Sequence, residues 1–541
     1  MSNAAPHILI YDTTLRDGAQ SEDVLFSVAD KLRITEQLDA LGVDVVEGGW
    51  PGSNPKDVEY FRQVRTLSLK NARVAAFGST RRADMSVETD LVLQSLLRAE
   101  TPVVTIFGKS WTLHVRKALE ISLEANLELI HDSVRYLKQH VETVYYDAEH
   151  FFDGFRADAT YAMRTLQAAR DGGADCLVLC DTNGGTLPSE IPAIMARVAS
   201  VGAPLGIHCH NDGGLAAANS LVAVEAGAVH VQGTINGLGE RCGNADLTAI
   251  IPNLVLKMRK PTRIQAEQVR SLTAISRFVN EMANRPSQKN QPFVGASAFA
   301  HKGGIHVSAI LKDSGTYEHI SPESVGNCQR VLVSEQAGRS NLFYKLKKFG
   351  IDDLQQKDPR ILQLLTDIKE LEHKGYQFDG AEASFELRAR RALGQVPEYF
   401  TLLGFRVIDE KREKADGDRF INVSDASVRV SVGGHVEHTA AEGQGPVNAL
   451  DQALRKALIR FYGNLREVTL SDFKVRIISE GGTAAQVRVQ IESRDQVDRW
   501  GTVGTSENII AAAYEALVDA VVYKLYKDQT PVRHLVQDEG V

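Results

Sequence analysis

At 541 residues the chain is longer than one hydrophobic core supports, so roughly two to four folding units are expected. Its 61 Lys and Arg against 69 Asp and Glu leave a net charge of −8 with no basic block, which argues against a nucleic-acid partner. Hydrophobic residues make up 43 %, the share of an ordinary globular protein, and no apolar run reaches membrane-span length. The opening Met1-Ser-Asn-Ala-Ala-Pro6 has neither the basic region nor the apolar core of a secretory signal, and the five cysteines (176, 180, 209, 242 and 328) show no framework spacing. Both features point to a reduced, cytoplasmic setting.

Over the first 255 residues one rhythm repeats: a short β-branched run, a turn, then a helical pattern. Strands are predicted at 8–12, 43–47, 73–77, 103–107, 143–147, 176–181, 206–210 and 229–235, with helices such as 27–41, 122–139, 157–171 and 215–226 between them. Eight such repeats in about 250 residues is the count of a (β/α)8 TIM barrel. A doubly wound open sheet competes, but it would not gather polar residues just past eight successive strands. Here they do gather: Arg16 and Asp17 after strand one, Glu149 past strand five and Asp181-Thr182-Asn183 at strand six. His208 and His210 end strand seven, and Glu240, Arg241 and Asn244 follow strand eight. Catalytic groups of this barrel come from that face.

Farther along, 264–284 reads as helix, and a polar, glycine-containing stretch leads to His301-Lys-Gly-Gly-Ile-His306. Helical patterns return at 334–348, 358–373 and 381–392, with a boundary near 393–398. Beyond 402, alternating strands at 426–432 and 485–491 are each followed by a turn, further strand and a helix, 445–461 and 508–526. That spacing predicts two copies of one βββα-like unit. The charged segment 409–418 is expected to be a solvated loop. The organisation expected is thus α/β: a barrel over 1–275, helical linker subdomains over 276–395 and an α+β domain over 396–541.

Two imidazoles two residues apart on a strand face the same way, so His208 and His210 converge while Cys209 points away. Asp17 and Asn244 come near them if the barrel closes, since strands one, seven and eight are then neighbours. Two nitrogens and two oxygens suit zinc, manganese, cobalt or iron, and magnesium with added waters. Arg16 beside Asp17 is a fixed charge able to steady an oxyanion, or else a structural ion pair. Glu149 is a candidate acid/base group, and Thr182 a candidate donor to a substrate carboxylate or a simple loop cap. The run Gly48-Gly-Trp-Pro-Gly-Ser53 lacks phosphate-loop spacing and is expected to let backbone pass close to a ligand, with Trp50 as a pocket wall. No dinucleotide fingerprint or nucleophile elbow is present. The chemistry suggested is metal-assisted enolate or aldol-type carbon chemistry.

Taken together, Asp12-Thr-Thr-Leu-Arg-Asp-Gly-Ala-Gln20, His208-Cys-His-Asn-Asp212, Asn236-Gly-Leu-Gly-Glu-Arg-Cys-Gly-Asn244, Phe299-Ala-His-Lys-Gly-Gly-Ile-His306 and Glu442-Gly-Gln-Gly-Pro-Val-Asn448 closely resemble the acyl-CoA-dependent Claisen-condensing enzymes. That family includes the 2-isopropylmalate, homocitrate and citramalate synthases. The segments Gly48-Gly-Trp-Pro-Gly-Ser-Asn-Pro-Lys-Asp57 and Phe378-Asp-Gly-Ala-Glu-Ala-Ser-Phe385 resemble its citramalate branch. The resemblance implies Asp17, His208, His210 and Asn244 as ligands of a divalent cation (Mn, Mg, Zn or Co). It implies Arg16, Gln20, Glu149 and Thr182 around a 2-oxo acid, here pyruvate, with acetyl-CoA as cosubstrate. His306 and Tyr317 match catalytic groups that the linker lends to the neighbouring subunit's barrel in a homodimer. The C-terminal units resemble an amino-acid-sensing domain, with isoleucine as the expected effector; 2-oxoisovalerate with leucine is the alternative pairing.

Overall fold

A strand enclosed on both faces gains from being apolar throughout, which is why the parallel strands of this chain are short hydrophobic runs rather than alternating ones. The computed structural model describes residues 7–310, 312–331, 339–351, 355, 358–378, 380–413, 420–479 and 485–533. They form two units, one of the described residues within 7–299 and 318–329 and one of those within 300–317 and 330–533.

In the first unit, β1 (Leu9–Asp12), β2 (Val45–Gly49), β3 (Arg73–Ser79), β4 (Val103–Lys109), β5 (Thr143–Glu149), β6 (Cys176–Asp181), β7 (Leu205–Cys209) and β8 (His230–Gly233) pair in sequence order. The barrel closes through β1 on β8, from Leu9 opposite His230 to Asp12 opposite Gly233. Side chains alternate between two cores. Tyr11, Val45, Ala75, Val103, Tyr145, Cys176, Val178 and Cys180 fill the interior. Ile10, Val46, Val104, Leu177, Leu179 and Ile207 face outward onto helix residues such as Ile34, Leu38 and Leu166. Several helices begin on side-chain caps that satisfy their first N–H groups: Ser27 in a capping box with Asp30, then Asn54, Asp90, Ser122 and Asp158. The stretch 264–284 is not one helix. Ala266–Val269 and Leu272–Met282 are separate, and the chain leaves the second through Asn284 with φ +53°.

In the second unit β9 (Ala300–His301) pairs with β10 (Arg330–Val331). Helices follow at Gly304–Ile310, Arg339–Lys348, Pro359–His373 and Glu382–Ala392. Two antiparallel sheets come next: β11 (Thr401–Glu413), β12 (Phe420–Val432) and β13 (His435–Gly443), then β14 (Thr469–Ile477), β15 (Val487–Arg494) and β16 (Arg499–Ser506). Each precedes a helix, Pro446–Leu458 and Ile509–Lys527, so the two βββα units are present. Val428, Val430, Val489 and Ile491 from the sheets share one core with Leu450, Leu454, Ala512 and Leu517 from those helices.

The charged segment at 409–418 departs from the solvated loop expected. Residues 409–413 are strand, Asp409 opposite Ser424 and Glu413 opposite Phe420, while 414–418 fall outside the described residues. Charge along Asp409, Glu410 and Lys411 marks a solvent-facing hairpin arm, since backbone pairing does not require an apolar face. The first part of the helix expected at 334–348 also lies outside the described residues; the described helix is Arg339–Lys348.

Candidate metal centre

The loop after β1 is fastened before it presents anything. The Asp12 carboxylate accepts the Thr14 N–H and hydroxyl, each at 2.9 Å, and the Thr14 oxygen accepts the Ile235 N–H at 2.9 Å. Thr13 N–H donates to the Gly233 carbonyl at 2.8 Å. The loops after β1 and β8 are thereby locked together. Burial pushes the Asp12 carboxyl up to about 7, against the two Thr14 bonds that favour its charged form. A carboxyl raised on folding costs stability, by an amount that grows from its unfolded value near pH 4 up to its folded value and stays in full above it. Asp12→Asn keeps an oxygen for Thr14 and loses that cost. Its stability gain over the parent is therefore expected to be larger at pH 8 than at pH 5, by about 2 kcal/mol. Thermal melts at the two pH values check this, and an equal gain at both contradicts it.

On β7 and just past it, His208 and His210 point the same way, while Cys209 turns into the outer core. Asp17 Oδ2 lies 3.4 Å from His208 Nε2 and 3.9 Å from His210 Nε2, and all three side chains are buried. One ligand atom from each lies within 4.8 Å of the others. Burial pushes the Asp17 carboxyl up, but the Arg16 guanidinium and the two imidazoles outweigh this and hold it below the usual carboxylate range. Burial beside His208 pulls His210 down to about 3, so its imidazole is neutral at physiological pH and carries a lone pair.

Asn244 adds the observation that tests a metal most directly. The chain past β8 returns to the end of β7, where Asn244 bridges to His210 through its backbone. Its side chain is 1 % exposed and its Oδ1 has no hydrogen-bond partner, while its amide lies near enough to the Asp17 carboxylate to help hold that group down. Leaving such a group unsatisfied costs about 1–3 kcal/mol, which coordination through its oxygen removes. A carboxylate, two imidazoles and an amide oxygen fit a borderline divalent cation.

Asp17, His208 and His210 open on a cavity of about 230 Å³ at the C-terminal mouth of the barrel, lined among others by Arg16, Gln20, Glu149 and Thr182. Arg16 Nε donates to Glu47 Oε1 at 2.5 Å, and its guanidinium lies 3.8 Å over the Phe77 ring. Trp50, Phe77 and Phe107 form an aromatic wall, the two phenyl rings stacked with centroids 5.6 Å apart and Trp50 edge-on to both. Glu149 pairs with Lys109. Thr182 Oγ1 accepts the His150 N–H at 2.9 Å, which leaves its own proton to donate. Gln20 is exposed at the rim. His306 and Tyr317 belong to the second unit, where their rings stack with centroids 4.2 Å apart, both exposed.

The glycines at 48 and 49 differ from expectation. A Cβ on Gly48 would strike the Tyr60 ring and one on Gly49 the Asp57 carboxylate, so they make room for the helix Pro55–Val64 and not for a ligand. Trp50 alone of that run reaches the cavity wall. Four residues around the site were not singled out from sequence for the roles they take: Glu47, Lys109, Asp147 and Gln232. The one signal available was a charged or polar residue inside an otherwise apolar strand.

A closed barrel with an Asp/His/His cluster at its C-terminal mouth defines a TIM-barrel enzyme class with a metal-type site, and residues 7–279 match the HMGL-like family. Residues 293–376 match the homocitrate synthase post-HMGL domain-like family, and 379–525 the LeuA allosteric (dimerisation) domain. The chain is 57 % identical to an (R)-citramalate synthase of Geobacter sulfurreducens over 96 % of its own length and 98 % of the relative's. It is 54 % identical to an (R)-citramalate synthase of Aquifex aeolicus, over 97 % and 99 %. A 2-isopropylmalate synthase of Methanocaldococcus jannaschii is 32 % identical over 96 % and 95 %. The chain belongs to the (R)-citramalate synthase family of acyltransferases. Among the described residues no helix is long and apolar enough to cross a membrane.

Proposed function

We propose that the chain condenses acetyl-CoA with pyruvate and water to give (R)-citramalate and CoA, as the names of its relatives at 45–57 % identity indicate. The observation that carries the choice of keto acid is the cavity beside Asp17, His208 and His210. Its wall of Trp50, Phe77 and Phe107 bounds the space for the keto acid's substituent and favours a methyl group over an isopropyl group there. Each extra methylene that cannot be accommodated is worth about 1–3 kcal/mol of discrimination.

Asp17, His208, His210 and Asn244 would hold the divalent cation, which when bound supplies Lewis-acid polarisation of the keto carbonyl. Arg16, held by Glu47, sets a positive charge where the carbonyl oxygen becomes an alkoxide. Thr182 donates its hydroxyl to the keto acid's carboxylate, and Gln20 contributes from the rim. A base takes a proton from the acetyl methyl, and the resulting carbon nucleophile attacks the keto carbon; water then cleaves the thioester. Glu149, kept by Lys109, is one candidate for that base. His306 and Tyr317 are the others, supported by the family likeness and by their stacking on each other.

The C-terminal domain supports a homodimer and an amino-acid effector, for which isoleucine is proposed. We further propose the division into a catalytic barrel (1–275), linker (276–395) and sensing domain (396–541), in a cytoplasmic enzyme.

CoA release from acetyl-CoA with pyruvate, 2-oxobutyrate, 2-oxoisovalerate or 2-oxoglutarate, each with and without isoleucine or leucine, tests this. Pyruvate is expected to exceed 2-oxoisovalerate by at least about tenfold in kcat/KM. Isoleucine is expected to inhibit. Preference for 2-oxoisovalerate with inhibition by leucine would replace this reading with the isopropylmalate one.

A further inference from the structure

His208 is not held by the barrel wall alone. Its Nδ1 lies 2.8 Å from Gln232 Oε1, and Gln232 Nε2 donates to Asp147 Oδ1 at 3.0 Å. The three residues come from β7, β8 and β5, and all are buried, Gln232 fully. A primary amide has one accepting and one donating end. Asp147 takes the donating end, so the accepting end faces His208, and the imidazole must put its proton on Nδ1. Its lone pair is then on Nε2, the nitrogen that faces Asp17 at 3.4 Å. A metal-binding imidazole needs this tautomer, and partners that fix it commonly govern affinity by 10–100-fold.

We propose that Gln232 and Asp147 are positioning residues for His208, joined as a relay across the barrel that fixes its tautomer and ring orientation for a divalent cation. The inference rests on the reading of Asp17, His208 and His210 as the cation site. His210 has no such device: its Nδ1 is buried without a hydrogen-bond partner among the described residues. The centre therefore has one imidazole preset by the protein and one left to be oriented by the cation itself. Nothing in the sequence marks this, since Gln232 lies 24 residues from His208 and 85 from Asp147.

Titration of the metal-free full-length protein with Co2+, followed by the visible absorption of the bound ion, reads the site without turnover. Gln232→Met has nearly the shape of glutamine and no acceptor, and is expected to bind Co2+ about 10–100-fold more weakly. Gln232→Glu keeps an oxygen facing Nδ1 but loses the hydrogen donated to Asp147, and is expected to bind within about tenfold of the parent and more tightly than Gln232→Met. Asp147→Ala, which frees the amide to turn without touching His208, is expected to lose about three- to tenfold and provides a second route if Gln232→Met folds poorly. Equal losses in Gln232→Met and Gln232→Glu, or parental affinity in both Gln232→Met and Asp147→Ala, overturn the relay. Asp17→Asn separates the two claims. If Asp17→Asn loses Co2+ while the relay variants bind normally, the proposal fails and the site stands. If Asp17→Asn also binds as the parent does, the site itself is misassigned.

Discussion

Asp17→Asn is expected to abolish metal-dependent condensation while leaving the fold intact. The substitution keeps the size of the side chain and removes its charge, and the charge is what the surroundings are built for. Arg16 NH1 lies 3.5 Å from Asp17 Oδ2, and two imidazole nitrogens lie within 3.9 Å of the same oxygen. No other carboxylate joins the two imidazoles in the cluster found among the described residues. Lewis-acid polarisation is worth several kcal/mol of transition-state stabilisation. At 1.36 kcal/mol per decade, its loss is on the order of 10³ in kcat/KM or more. Initial rates with saturating Mn2+, alongside metal content by mass spectrometry and far-UV circular dichroism, check it. An unchanged rate in the variant after chelation would remove Asp17 from the site.

The barrel was legible because its physics is local. Each parallel strand is an apolar run with polar residues just past its end, and several helices open on their own caps, so all eight strands stand where the periodicity puts them, with shifts of a few residues at their ends. Asp17, His208 and His210 were legible because they sit in short motifs at strand ends, and strand alternation alone makes the two imidazoles parallel. Glu47, Gln232 and Asp147 were not legible as partners of Arg16 and His208. Each is a single polar residue within a strand, and its partner is decided by barrel closure and by which face the pleat turns inward. The β11–β12 arm was misread for the opposite reason: with Asp409, Glu410 and Lys411 exposed, the strand carries no hydrophobic alternation to announce it. The helix Glu382–Ala392 illustrates the same limit. Its pattern was readable, but not that Arg388 and Arg391 pair with Glu515 at 2.6 Å and Asp519 at 2.9 Å, which ties it to the last helix of the chain.

Arg16→Lys, although it preserves the charge, is expected to lose nearly as much activity as Arg16→Ala. The guanidinium is held at three places: Nε on Glu47 at 2.5 Å, NH1 toward Asp17 at 3.5 Å, and one flat face on the Phe77 ring at 3.8 Å. Lysine cannot serve two carboxylates in divergent directions and stack at once, because its charge is a compact, strongly hydrated point. Glu47 is fully buried and also accepts the Tyr11 hydroxyl at 2.6 Å, which in turn meets Thr105 Oγ1 at 2.7 Å. The carboxylate is thus fixed from the barrel interior, and it fixes Arg16 in turn. Burial alone would pull the Arg16 guanidinium down; Glu47 and Asp17 more than offset it and keep it charged. Removing a preorganised oxyanion donor costs about 10²–10³ in kcat, and that range is expected for both Arg16 variants, with KM for acetyl-CoA changing much less. Glu47→Gln separates position from charge. It retains an oxygen for Arg16 Nε but leaves a largely buried guanidinium with one anionic partner fewer, a loss of about 3 kcal/mol in stability. Its kcat is expected to fall by only about tenfold, because the guanidinium itself is still present. Were Arg16→Lys to keep the parental kcat, a positive charge at any position near Asp17 would suffice, and the Glu47–Phe77 clamp would have no part in catalysis.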